Sequence, residues 1–239
     1  MTLLRHPTFL PPPPPTLAHG LPPEVEALGL LRRLDAGEVL IREGRAPPFL
    51  YAVRGGVLVA SGSVPGGRSV AVALLGPGEA FGEGALSDPV GACPFVVRAM
   101  TASDVVVFPP ERLWEPGTDA RAVRWVVAAL ARRLHKADAD LAAALGLPVS
   151  HRVRRALDAL AAASGRPVPG GIRITVPITQ ETLASMVGAT RESVNRALGR
   201  LRRIGAVRWS GRTYTVSPNT SSPGGPTLRT VPSASSFSR

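Results

Sequence analysis

The stretch PITQETLASMVGATRESVNRALGRLRRIGAV, residues 177–207, holds two helix-forming runs separated by a glycine. Thr179 can cap the first run, whose apolar positions are Leu183, Ala184 and Val187. Glu181 stands in its first turn, where the helix dipole favours a carboxylate. Gly188 then allows a tight turn. Thr190 can cap the second run, on which Val194, Ala197, Leu198, Leu201 and Ile204 recur at offsets of 3, 4, 7 and 10. At about 100° per residue those five fall within an arc of roughly 120°, and Arg191, Glu192, Asn195, Arg196, Gly199, Arg202 and Arg203 fall on the other side. The spacing predicts a helix with one buried stripe and one basic, hydrogen-bonding face. Arginine can fork onto O6 and N7 of guanine, glutamate can accept from the cytosine amino group, and asparagine can pair with adenine. Any one of these arginines fits an ordinary solvated surface. The combination of two capped helices, a glycine turn and base-reading side chains in the first two turns points to the major groove of double-stranded DNA.

Outward from this stretch, residues 206–209 and 212–216 form a small hairpin about Ser210-Gly211, which makes a wing. On the amino-terminal side, Ser150 can cap a helix that runs to about Ala163, where Gly165 and Pro167 stop it, and residues 172–176 read as a strand. Between Asp119 and Leu145, the apolar positions Val123, Val127, Leu130, Leu134, Ala137 and Leu141 are spaced 4, 3, 4, 3, 4. That is heptad spacing on one long helix, and it predicts either a dimer seam or a face packed on the helix's own β-module. Residues 37–110 carry short β-type runs at 39–41, 49–53, 57–60, 70–75, 95–99 and 105–108, punctuated by turns at Arg54-Gly55-Gly56 and Pro65-Gly66-Gly67. Short strands at regular spacing mean a sandwich or barrel. Residues 1–23, with five consecutive prolines at 11–15, are expected to be a disordered leader, and residues 218–239 a disordered tail. The organisation read from the chain is a β-module at 24–116, a long helix at 117–147 and a helical module at 148–217.

Charge divides along the same lines. Of 239 residues, 28 are basic and 17 acidic. Residues 1–115 hold 9 basic and 11 acidic side chains, residues 116–216 hold 17 and 6, and residues 217–239 hold 2 and none, so the nets are −2, +11 and +2. The excess sits in the half expected to meet phosphates. A single cysteine, Cys93, rules out an internal disulfide and a cysteine-rich metal site, which with the absence of a membrane-length apolar run predicts a cytoplasmic protein. The proline run also interrupts any apolar helix where a signal peptide would lie. All four histidines, His6, His19, His135 and His151, lie outside the β-block, so a cupin-like metal enzyme and a haem sensor both lack their ligands. No metal ligand set and no catalytic residue is assigned.

Residues 177–207 resemble the helix-turn-helix of the cyclic AMP receptor and fumarate-nitrate regulator (Crp/Fnr) family. The resemblance extends to GEVLIREG at 37–44, Tyr51-Ala52-Val53 before Gly56, Gly82-Glu83, and LARRL at 130–134. It implies an α+β fold: an amino-terminal cyclic-nucleotide-binding-like β-roll (a double-stranded β-helix), a long dimerisation helix and a carboxy-terminal winged helix-turn-helix. By the same resemblance Arg191, Glu192 and Arg196 match base-reading positions, and Thr179, Thr190 and Ser193 match backbone-contacting or capping positions. Asn195 and Arg202 join them from the helix face alone, Arg202 as a phosphate contact. The implied protein is a homodimeric, sequence-specific transcription regulator on a palindromic TGTGA-like site with half-sites about 34 Å apart, which also contacts RNA polymerase.

The effector pocket implied by the resemblance comprises Gly82, Glu83, Cys93, Pro94, Ala137 and Asp138. Glu83 could accept from a ribose hydroxyl. The family's phosphate-pairing arginine and following serine fall on Cys93 and Pro94, and its adenine-facing Thr-Ser pair falls on Ala137 and Asp138, none of which repeats the contact. The chain is therefore expected to be ligand-independent or to answer an effector other than cyclic AMP, and no cofactor is expected. The alternative is a cyclic-nucleotide-responsive regulator with a non-standard pocket. A non-specific nucleic-acid binder would need only the charge, and Glu192 on the DNA-facing helix argues against it.

Overall fold

A computed structural model of the chain describes residues 21–44, 47–64, 68–87 and 93–217. The expected leader up to residue 20, the tail from 218 and the turn at 65–67 lie outside them. The amino-terminal module opens with α1 (Pro23–Glu26) and contains β1 (Leu30–Leu34), β2 (Val39–Ile41), β3 (Leu50–Gly55), β4 (Leu58–Val64), β5 (Arg68–Leu75), β6 (Ala80–Phe81), α2 (Gly84–Ser87), β7 (Val96–Ala99) and β8 (Ser103–Phe108). These strands form two antiparallel four-stranded sheets, ordered β1-β8-β3-β6 and β2-β7-β4-β5.

Alternation along the strands explains the layering. In β3 and β8, Tyr51, Val53 and Val105 point into the interior between the sheets, where they meet Leu58, Leu75 and Val97. Their neighbours Leu50, Ala52, Val106 and Phe108 point to the opposite face and bury against Leu21, Val25, Leu113, Ala122 and Val126. Both faces of the central strands are covered, so their sequences read as continuous apolar runs. Leu21 is buried, Pro22 caps α1 and Pro23 opens it, so the expectation of disorder is corrected for residues 21–23. The apolar residue at 21 has a core to enter, which composition around the proline run conceals.

α3 (Ala120–Gly146) is capped by Asp119, whose side chain accepts from the Arg121 amide at 2.8 Å. It buries Ala122, Val126 and Ala129. Val123 and Leu130 are partly buried against the protein's own sheet, whereas Val127, Leu134 and Leu141 are 58–63 % exposed and Ala137 is exposed. The heptad positions therefore divide between two jobs: two residues lean on the β-module, and the others form a bare stripe.

The carboxy-terminal module contains α4 (Val149–Ser164), β9 (Gly165–Val168), β10 (Gly171–Ile174), α5 (Gln180–Val187), α6 (Arg191–Arg203), β11 (Val207–Ser210) and β12 (Thr213–Val216), with its strands ordered β11-β12-β10-β9. Two expectations are corrected. Ser150 does not cap α4: Pro148 is the capping residue, without a side-chain bond, and Ser150 sits inside the first turn. Gly165 and Pro167 do not merely stop the helix; they open a strand that pairs with β10, with Arg166 opposite Arg173. Pro167 is tolerated because β9 is an edge strand. Arg154 clips α4 to the end of the module, pairing with Asp158 at 2.9 Å and donating to the Ser217 carbonyl at 2.9 Å. Among the described residues, no helix is long and apolar enough to cross a membrane.

This packing makes two glycines differ. A Cβ on Gly165 would stand 2.2 Å from the Ala161 carbonyl oxygen, whereas one on Gly199 meets nothing within 4 Å. Gly165→Ala is expected to cost about 1–3 kcal/mol in urea unfolding, and Gly199→Ala to gain roughly 0.5–1 kcal/mol by relieving glycine of its helical entropy cost. Burial also raises the pKa of both tyrosines, Tyr51 and Tyr214, above their ordinary value near 10. The unfolded chain ionises first, so stability present below that value is lost as pH rises through it. A tyrosinate absorbance titration should show both groups ionising late, with unfolding at the alkaline end.

Candidate nucleic-acid interface

The interface is assembled by the caps and the buried stripe. Thr179 Oγ1 accepts from the Thr182 amide at 3.0 Å and starts α5, which buries Leu183, Ala184 and Val187. Gly188 ends α5 in the left-handed region at φ 58°, and Arg152 on α4 donates to the adjacent Val187 carbonyl at 2.6 Å, which fixes the turn from behind. Thr190 Oγ1 accepts from the Ser193 amide at 3.2 Å and starts α6. Val194, Ala197, Leu198 and Leu201 on α6 are buried against α4 and α5. Ile204, expected in the same stripe, is 46 % exposed because the helix has ended and Ile204 is its capping residue.

With that stripe buried, Arg191, Glu192, Asn195 and Arg196 are all exposed. They occupy the first two turns, the part of a recognition helix that meets base edges. Thr190 and Ser193 are joined by a 3.0 Å hydroxyl contact, and Arg196 donates to Ser193 Oγ at 3.2 Å, which steadies the guanidinium over the helix start. Arg202 lies elsewhere. At the far end of α6 its guanidinium carbon sits 5.5 Å from the Trp209 ring centre, and Trp209 in turn stacks near Tyr214. It braces the wing by a cation–π contact while remaining exposed.

One part of the surface was not anticipated from sequence. Pro148, Val149 and Ser150 at the start of α4 and Ser193, Arg196, Ala197 and Arg200 on α6 line a depression of about 270 Å³. Pro148 supplies no side-chain cap, so the positive end of α4 opens into a depression that Arg196 and Arg200 also line. An anionic oxygen is the natural complement of such a corner. The legible signal was Arg200 on the edge of the basic face; the contribution of α4 comes only with the tertiary fold.

The residues expected around an effector are differently disposed. Gly82 has φ +89° and a Cβ there would stand 2.5 Å from the Phe49 carbonyl oxygen, so the backbone of the roll itself requires the glycine. Glu83 is paired with Arg133 of α3 at 2.5 Å, and one turn along, Lys136 reaches Glu79 at 3.1 Å and the Leu74 carbonyl at 3.0 Å. Cys93 is half-buried against the roll interior, its thiol donating to the Phe95 carbonyl at 3.4 Å, and Pro94 is exposed. Ala137 and Asp138 are exposed on α3. Arg98 points outward and donates to the Gly37 carbonyl at 2.6 Å. Among the described residues, no group of three or more His, Cys, Asp or Glu could hold a metal ion.

Comparison with known proteins covers both halves. Residues 130–218 match the model of the Crp-like helix-turn-helix domain, and residues 31–115 match that of the cyclic nucleotide-binding domain. The chain is 31 % identical over 188 residues to the CRP-like cAMP-activated global transcriptional regulator of Mycobacterium tuberculosis, covering 76 % of this chain and 81 % of the relative. It is also 31 % identical over 204 residues to the cyclic AMP receptor protein of Thermus thermophilus, covering 84 % and 91 %. A crystal structure of a CRP-family transcriptional regulator, also from Thermus thermophilus, aligns with a TM-score of 0.66 at 27 % identity, over 78 % of this chain and 91 % of that one.

Substitution at two positions tests two expected kinds of DNA contact. Glu192→Ala is expected to relax discrimination at one base pair by about 1–3 kcal/mol, read from affinities for single-substitution DNA sites. Arg200→Ala should weaken cognate and scrambled DNA alike and reduce the slope of log affinity against log salt by about 1. Equal effects of both substitutions on both DNAs would contradict the assignment.

Proposed function

Because the chain belongs to the Crp/Fnr family of transcription regulators and carries its helix-turn-helix DNA-binding domain, we propose that it works as a homodimer that reads a twofold-symmetric, TGTGA-like site in promoter DNA. The observation that carries this reading is the outward face of α6, where Arg191, Glu192, Asn195 and Arg196 are exposed together at the helix start. A carboxylate among arginines is of little use to a protein that only follows phosphates, and it suits one that reads a cytosine amino group. Dimerisation is supported by the bare stripe on α3, since Val127, Leu134 and Leu141 recur every seven residues and expose apolar surface that a second copy would cover. Contact with RNA polymerase, a cytoplasmic location and the absence of a catalytic role belong to the same proposal.

The regulator is read as independent of cyclic AMP. Glu83, the carboxylate available for a ribose hydroxyl, is already engaged by Arg133, so the β-roll and α3 are tied together by the chain's own side chains. Cys93 and Pro94 supply no cationic fork for a cyclic phosphate. A second reading, a cyclic-nucleotide-responsive regulator with an altered pocket, draws support from relatives named for cyclic AMP and from the match at residues 31–115.

Binding of the purified protein to a TGTGA-type palindrome and to scrambled DNA, at one salt concentration and with and without cyclic AMP, separates these readings. The proposal expects preference for the palindrome without ligand and no change on adding cyclic AMP. Preference that arises only with cyclic AMP would establish the second reading, and equal binding to both DNAs would reduce the chain to a non-specific binder.

A further inference from the structure

Among the described residues β5 lies at the edge of its sheet and pairs only with β4, so alternate backbone groups along it face away from the sheet. Two of those groups are taken up by a side chain from the other half of the protein. Ser185 Oγ on α5 accepts from the Ala71 amide at 2.9 Å and donates to the Ser69 carbonyl at 2.9 Å. A hydroxyl carries one proton and two lone pairs, so a single serine can serve both.

Apolar packing surrounds this double bond. Val57, immediately before β4, is 1 % exposed and belongs to the same buried cluster as Val153, Leu157 and Leu183 of the helical module, with Leu74 and Met100 packed against it. Gly76 lies so close to α4 that a Cβ there would stand 3.1 Å from the Ala163 methyl. In this docked arrangement Arg191, Glu192, Asn195 and Arg196 stay exposed, so docking sets the direction of the recognition face without covering it.

We propose that Ser185 is an orientation latch: by closing the β5 edge it holds the helix-turn-helix module at a fixed angle to the β-roll and so prepares the two recognition helices of a dimer to engage both half-sites at once. The proposal rests on the reading of the chain as a binder of two half-sites. A module free to swivel meets one half-site as well as a fixed one does. Engagement of the second half-site depends on where the first leaves its partner, and a fixed angle raises the effective concentration for that step.

The test uses the full-length protein, Ser185→Ala and Ser185→Thr, an intact palindrome and an isolated half-site at one salt concentration, together with hydrogen exchange at the Ala71 amide. Alanine is a good helix former at this half-buried position, so α5 should persist. Ser185→Ala is expected to weaken palindrome binding roughly tenfold, to leave half-site binding within about twofold and to speed exchange at Ala71. Ser185→Thr keeps the hydroxyl and should restore both readouts. Unchanged or tighter palindrome binding by Ser185→Ala, or an Ala71 amide as protected as in the parent protein, would overturn the latch. If the parent protein itself shows no preference for the palindrome over the half-site, the two-half-site reading fails, and the latch falls with it.

Discussion

The carboxy-terminal half depends on the burial of one stripe of α6. Val194, Ala197, Leu198 and Leu201 are 0–5 % exposed, and full burial of a valine or leucine contributes about 1.5–3 kcal/mol. A surface ion pair is worth about 0–1 kcal/mol. The rotation of α6 about its own axis is therefore decided by the apolar positions, and the polar positions follow. Turning the helix by one residue would carry guanidinium groups into the core between α4 and α5, where they would lack partners. The basic face is outward because the other face cannot be.

Local pairing explains why the amino-terminal half can carry a net charge of −2 beside a strongly basic neighbour. Its acidic residues are largely engaged with basic ones: Glu79 with Lys136, Glu83 with Arg133, Glu38 with Arg32, Glu26 with Arg54. The first two join the roll to α3 within one helical turn. Each is partly exposed and individually modest in energy, but together they hold α3 against the roll near the positions, Ala137 and Asp138, where the family resemblance expects a ligand to reach the helix.

Much of this was legible from the sequence, for reasons that can be named. The caps at Thr179 and Thr190 act within three residues of themselves, and the α6 stripe is a local period, so both are visible in a single window. The β-runs at 39–41, 70–75 and 105–108 show themselves as short apolar segments between turns. β1 did not: LLRRL has no alternation, Leu30 is 81 % exposed, and the strand exists because it pairs with β8, more than 60 residues away. β9 was hidden because glycine and proline signal a helix stop equally well when an edge strand follows. The contact of Arg202 with Trp209 was not legible, because helix-face geometry cannot foresee the wing folding back beneath the helix end. Ser185 offered no signal at all, since a serine in the middle of α5 acquires its role from a strand 114 residues upstream.

We propose that the outward face of α6, made by burial of the opposite one, reads a symmetric sequence. Selection from a random DNA pool by the purified full-length protein, at one moderate salt concentration and without added ligand, tests it most directly. The expected result is enrichment of a twofold-symmetric motif whose TGTGA-like half-sites lie about one helical turn apart, roughly 34 Å centre to centre. A pool that shows no base preference, with retention that only falls as salt rises, would contradict it.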